Sequence, residues 1–403
     1  MKRPLHHLAA VGAAALLLVT AACGGDDDDD AATDTPEETD AGGETTTDDT
    51  GASSETTAAS GDGGGDVASA AQERVAPYLQ PSTSVGIEEP VEGEVPSDVS
   101  VYWLEGNIQS ILPITSGFES ATEALGWNLT TLTYDPADPQ APGAAMQQAV
   151  DGGADFIAVS GQTIDILGTG LEAARSAGIP VIDLYSTDEI GGESNGIYAN
   201  VGSPAYSQAS YPLLADLIIS DSGGAANVLV VSIPDFAILN VATDAIAEQF
   251  SNECPDCSVD NLDVTIADLT GGTVASQIVS AVQANSDIGY VFLVIGDLAT
   301  GLPEALSSAD MGDVKVVGHV PNPEQIQSLV DGTSFAWLPL PRPASAWAAV
   351  DSMVRLSVDQ EVSPAHEVLP IEIWTTDNVP TPVEEYEGPD GYQDQFTAMW
   401  GVG

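Results

Sequence analysis

The sequence predicts an α/β protein built as two doubly wound parallel-sheet lobes, and three observations carry that prediction. Apolar runs of β type recur along most of the chain: VSVYWLE, LTTLTY, FIAVS, PVIDLY, IYANV, VLVVSI, VTIAD, YVFLVI, VKVVG and FAWLPL. Helical stretches separate them, among them SGFESATEALG, APGAAMQQAVDGG, GTGLEAARSAG, AYSQASYPLLADLII and TVASQIVSAVQAN. This alternation is the βαβ rhythm of parallel strands with helices packed on both faces. Ten strands suit two sheets better than one, and 403 residues suffice to bury two cores.

The chain opens with MKRPLHHLAAVGAAALLLVTAAC, a basic start followed by an apolar run and small residues, which is the pattern of an export signal over residues 1–22. The apolar run is too short to persist as a membrane span. Thr20, Ala21, Ala22 and Cys23 resemble a bacterial lipobox, with Thr20 where Leu is usual. That resemblance implies a lipid anchor on Cys23. Residues 23–66 are Asp, Glu, Thr, Ser, Gly and Ala with almost no bulky apolar side chain, so they cannot repay the entropy of folding. They are expected to form a disordered acidic tether with a reach of roughly 35 Å as a flexible coil. Residues 67–97 form an N-terminal extension with a short helical pattern, VASAAQERVAPYL, and a Pro- and Glu-rich link. Residues 381–403 form an acidic, aromatic C-terminal tail.

The formal net charge is -55 with only seven Lys and Arg, yet 43% of residues are hydrophobic, as in an ordinary globular protein. Nucleic acid is excluded as a partner, because phosphate neutralisation needs clustered cations. An acidic surface of this kind suits a saline habitat, where counterions screen self-repulsion. Of three cysteines, Cys254 and Cys257 remain as a pair after Cys23 and are expected to form a disulfide stapling a helix end to the next strand. The pair follows a helix rather than opening one, which disfavours a redox motif, and no second pair or nearby histidine supports zinc. Past the export signal the only histidines are His319 and His366, and no GxSxG, HExxH or phosphate-loop motif occurs. No enzyme activity, metal or cofactor is expected.

The segment ATEALGWNLTTLTYDPADPQAPGAAMQQAVDGGADFIAVS, then ARSAGIPVIDLY, resembles the first lobe of type I periplasmic sugar-binding proteins. NSDIGYVFLVIGDLATGLPEAL, VKVVGHV, PEQIQSLVDGT and IEIWTTDNV resemble the second lobe and its return, in the family's order. The lactose-repressor family shares this fold, but its DNA-binding helix-turn-helix is replaced here by an export signal and tether. The resemblance implies a hinge of three crossings, near Asp221–Ala226, Trp337–Pro341 and Ile371–Thr375. Lobe 1 is then 98–222 plus 342–370, and lobe 2 is 223–338 plus 371–380. It also implies a monomeric, extracytoplasmic solute-binding protein on the outer face of the cytoplasmic membrane, closing on a small molecule and delivering it to an ABC permease. A sensor that passes the signal to a membrane receptor would need the same fold and anchor.

Ligands of open parallel sheets sit beyond the carboxyl ends of strands. The candidate ligand residues are therefore Asn107, Ser110, Gln162, Tyr185, Phe236, Asn240, Asp297, His319 and Trp337. Sugar binders of the resembled family carry polar or aromatic groups where this chain has Ile108, Ser110, Ile111, Tyr185, Val241 or Ala242, Gly296, Val320 and Pro339. Of that set only Asp297 is kept. A pocket without those partners cannot offset the desolvation of a polyol, about 1–3 kcal/mol for each group left unpaired. No Lys or Arg lies between Arg175 and Lys315, leaving Arg342 or backbone amides for an anion. The expected ligand is uncharged and less polar than a simple sugar, with an atypical sugar site as the alternative.

Overall fold

The structure, a computed structural model, describes residues 63–402. The export signal, Cys23 and the tether as far as residue 62 lie outside the described residues.

Helix α1 (Gly63–Val75) opens the described chain, so helix begins one turn before the expected boundary at residue 67. Strands β1 (Ser100–Gly106), β2 (Asn128–Tyr134), β3 (Phe156–Ser160), β4 (Val181–Leu184) and β5 (Ile197–Val201) follow. They alternate with α2 (Leu112–Leu125), α3 (Ala141–Asp151) and α4 (Ile164–Ala177) and pair in the order β2-β1-β3-β4-β5, all parallel. Central strands are mostly apolar because helices cover both faces; every residue of β3 and β4 is buried, Ser160 and Asp183 included.

Helix α5 (Pro204–Asp221) leads into the second sheet. That sheet comprises β6 (Asn227–Ser232), β7 (Ser258–Asp263), β8 (Tyr290–Leu293), β9 (Lys315–His319), β10 (Ala336–Leu338) and β11 (Trp374–Thr375). Between them run α6 (Ala237–Glu253), α7 (Ile266–Thr270), α8 (Val274–Ala284), α9 (Leu302–Ser308), α10 (Pro323–Val330) and α11 (Arg342–Ser357). The strand order is β11-β10-β9-β8-β6-β7, parallel except for the β10–β11 pair. Helix α12 (Tyr392–Trp400) ends the described chain. No helix among the described residues is long and apolar enough to cross a membrane.

The structure departs from the sequence expectation at two places. VTIAD is not a strand: Thr265 and Asp268 form a reciprocal capping box that starts α7, with N–H to oxygen distances of 2.9 and 3.1 Å. The strand is the preceding SVDNLD, an edge strand whose polar residues face solvent. The first crossing also moves. Helix α5, expected in lobe 1, packs on α6, β9 and β10, and Tyr211 Oη donates to the carbonyl of Val294 at 2.8 Å. The chain therefore changes lobe at Gly202–Ser203, and Asp221–Ala226 is a turn inside the second lobe. The second change follows β10, since α11 packs on α2, β4 and β5; the third brings β11 back onto β10.

Helices α5 and α11 share an uncommon property: both are buried nearly all round. In α5, Tyr206, Tyr211, Leu214, Ile218 and Ile219 face the protein from several sides, and α11 is buried from Arg342 to Arg355. A helix without a solvated stripe needs cover on two sides. The terminal extensions supply it. Helix α1 lies on α5, and Arg74 forks onto the buried Asp216 at 2.8 and 2.6 Å. Helix α12 lies on α11, where Trp400 stacks on Trp347 with ring centroids 5.2 Å apart. Beneath this cover Asp351 accepts from Arg355 Nε at 2.6 Å, from His366 Nε2 at 2.9 Å and from Trp400 Nε1 at 2.7 Å. Burial works against the Asp351 charge, but hydrogen bonds and charge from His366 and Arg355 outweigh it and hold the carboxyl below its ordinary range. At the far edge of the second sheet, Cys254 and Cys257 are disulfide-bonded in the turn from α6 to β7.

Candidate functional site

The turns after the strands of both sheets face one another across a cleft that encloses a cavity of about 100 Å³, smaller than the ~300–1,000 Å³ typical of ligand pockets. The first lobe contributes Ile108, Ser110, Ile111 and Ile114 from the β1–α2 connection, Ser160 and Gly161 after β3, and Tyr185 after β4. The second contributes Tyr206, Ser207 and Tyr211 from α5, Phe236, Ile238 and Leu239 from the start of α6, and Ile295 after β8. His319, Val320 and Leu340 close it from β9 and β10. The lining is dominated by aliphatic and aromatic side chains.

Backbone strain collects at the same place. Five non-glycine residues among those described have left-handed φ; three are Asp, which tolerates it, and the others are Tyr185 (φ 60°) and Val320 (φ 56°). Both line the cavity. A β-branched residue in this region costs on the order of 1–3 kcal/mol and persists only where its surroundings hold it. For Tyr185 those surroundings are visible: its Oη donates to Ser345 Oγ at 2.7 Å, and Gly202 leaves room where a Cβ would come 2.6 Å from the ring.

The site carries little usable charge. Arg342, at the hinge, is fully engaged: Nε donates to Glu385 at 2.9 Å, Nη1 to Asn322 Oδ1 at 2.9 Å, and Nη2 to the carbonyl of Pro321 at 2.8 Å and to Glu385. Burial, helped by the Arg342 charge, pushes His319 down to about 3, so its imidazole is neutral. Its ring stacks on Tyr211 at 4.4 Å, with Nε2 3.2 Å from Tyr206 Oη. Burial pushes the phenols of Tyr185, Tyr206 and Tyr211 up, and they too stay neutral. Burial also raises the Asp297 carboxyl, against Ser110 hydrogen bonding and the Arg342 charge.

Of the residues named from sequence, the structure gathers Ser110, Tyr185, Phe236 and His319 around this cavity. Asn107 and Asp297 line a second, more polar chamber, which adjoins the first at Ile108. Gln162, Asn240 and Trp337 line neither chamber. Asn240 is exposed on α6 and donates back to the carbonyl of Pro234 at 3.2 Å. Trp337 is fully buried and packs over Gly318, where any Cβ would fall 2.2 Å from its ring. Tyr206 and Tyr211 were missed because they project from α5 rather than from a strand end. The signal available was a pair of tyrosines in a helix with no polar stripe.

The family description "Periplasmic binding protein domain" matches residues 100–361. The chain belongs to the periplasmic binding protein family. Its fold is the type I arrangement of two parallel-sheet lobes, shared with many solved structures. An ABC transporter solute-binding protein from Mycobacterium smegmatis with bound glycerol is 17% identical and superposes with a TM-score of 0.63, covering 73% of this chain and 99% of that one. One from Actinobacillus succinogenes with bound D-allose is 18% identical, with a TM-score of 0.61, 70% of this chain covered and 99% of the other. GanP, a glucose-galactose binding protein from Geobacillus stearothermophilus, is 15% identical with a TM-score of 0.61, covering 71% and 100%. No curated protein matches in sequence. Both terminal extensions of this periplasmic binding protein, the covers of α5 and α11, fall outside the matched span.

Proposed function

We propose that this periplasmic binding protein captures a small, uncharged solute, less polar than a simple sugar, between its lobes and delivers it to an ABC import permease. The observation that supports this reading best is the identity of the cavity lining. Five positions at which sugar binders of the resembled family carry polar or aromatic recognition groups are here Ile108, Ser110, Ile111, Tyr185 and Val320, and all five line the cavity. Apolar burial there gains about 25 cal/mol per Å², whereas a polyol would leave its hydroxyls unpaired. The engaged Arg342 leaves no free cation for an anionic ligand. Relatives of this fold solved with glycerol or D-allose support solute capture as the role.

Closure is the proposed mechanism: a solute touching both lobes shifts the population toward the closed form, which the permease recognises. A lipid on Cys23 would hold the domain at the outer face of the cytoplasmic membrane, acting as a monomer. The test is thermal unfolding of the purified chain against sugars, polyols, nucleosides, and aromatic and alicyclic compounds, with small-angle scattering on every hit. A melting shift with an uncharged cyclic compound, accompanied by a smaller radius of gyration, is the expected result. Stabilisation at a hundredfold over Kd is about 2.7 kcal/mol. A shift with sugars alone would overturn the ligand assignment, and silence across the whole panel would overturn solute capture.

A further inference from the structure

The cleft has two chambers of different character, and they meet at Ile108. The inner one is the apolar cavity, with Phe236, Tyr211 and Ile111 among its walls. The outer one lies between the end of β1 and the start of α8, with Asn107, Gln109, Thr270, Thr300 and Asp297 on its walls. Asp297 is only 8% exposed, and its Oδ2 has no hydrogen-bond partner. A buried carboxylate oxygen without a donor is costly, and native structures leave few of them. Arg342 cannot repair this, because it spends its donors on Glu385, Asn322, Pro321 and Ser110, and the hydrogen bonding that Ser110 gives the carboxyl still leaves Oδ2 unpaired.

We propose that the cleft selects an amphiphilic alcohol, with an apolar ring held in the inner chamber against Phe236 and a hydroxyl donating to Asp297 in the outer one. This rests on the reading of the chain as a solute-binding protein and adds the chemistry and orientation of the solute. The ring supplies burial, which is nondirectional; the hydroxyl supplies the one directional contact. A simple sugar would place its other hydroxyls against Ile108, Ile111 and Ile295, which offer no partner. A carboxylate would meet Asp297 with like charge and no free arginine.

The test uses 2-phenylethanol, its methyl ether, phenylacetate, D-glucose and D-allose with the full purified chain, by isothermal titration calorimetry. The alcohol is expected to bind, the ether about tenfold more weakly because it cannot donate, and phenylacetate and both sugars not at all. Asp297→Ala is expected to remove the difference between alcohol and ether, while Phe236→Ala weakens both equally. Circular dichroism and an unchanged melting temperature without ligand certify that each variant is folded. If alcohol and ether bind alike to the wild-type chain, or if the difference survives in Asp297→Ala, the assignment of Asp297 is wrong. Binding of either sugar in place of the alcohol would overturn the amphiphile and leave solute capture standing. If no probe binds and the lobes do not close on a broad solute panel, both readings fall.

Discussion

Across the cleft, Ile108, Ile111, Tyr185, Phe236 and Val320 present apolar surface and keep their few polar neighbours neutral, whereas behind the hinge and under α12 the protein buries charge and pairs it. Arg342 and Asp351 are each nine-tenths or more buried, and each is surrounded by partners; His319 is as deeply buried and is kept uncharged. The difference separates two tasks. Paired buried ions fix geometry, since removing one partner strands the other, while an uncharged apolar chamber leaves recognition to the ligand's shape and one or two polar contacts.

The sharpest way to break the hinge side is Asp351→Ala, which leaves Arg355 and His366 without their carboxylate. We expect a loss of about 3–5 kcal/mol in denaturant unfolding, with no direct effect on the cleft. A loss under about 1 kcal/mol would mean the network is dispensable. On the cleft side the contrast is sharpened by pH. Because the folded His319 is pushed down to about 3, its contribution is fully present above the ordinary histidine range near 6.5. It is lost as pH falls from there toward 3, at up to about 1.4 kcal/mol per pH unit, and His319→Gln is expected to remove that slope from melts taken between pH 7 and 4. Glu385→Ala tests the join between the regions, because it deprives Arg342 Nε of its acceptor. We expect about 1–3 kcal/mol of destabilisation, read by chemical unfolding. The smallest effect concerns the surface: raising NaCl from about 0.1 M to about 1 M shortens the screening length from ~10 to ~3 Å. With a net charge of -55, this should raise the melting temperature by a few degrees, and a flat response would show that self-repulsion is already relieved.

Strand positions were readable where a strand is covered on both faces, because such runs are nearly continuous aliphatic and aromatic residues; FIAVS and YVFLVI each contain a strand of their sheet. The edge strand SVDNLD was not, since four of its six residues meet water and its neighbour VTIAD carries more β-formers. Nor was the lobe of α5 readable: a helix without a polar stripe gives no sign of which sheet it faces. For the site, residues just after strands are reachable by the carboxyl-end rule, which named Ser110, Tyr185, Phe236 and His319, all four of them lining the cavity. Orientation within a strand or helix was not. Trp337 turns into the core and Asn240 into solvent because of side-chain direction: a boundary error of one residue reverses the face of a strand and turns a helix position by about 100°.

The cover that α1 and α12 place on α5 and α11 bears on how such a chain can change over generations. A fragment limited to residues 100–361, the span shared with its family, would bare the largely apolar helix faces around Asp216 and Asp351 and should self-associate. Each extension and the helix face beneath it are therefore interdependent, since neither α5 nor α11 keeps a solvated stripe of its own. A lineage that shed either terminus could remain soluble only by restoring charge to the helix beneath it.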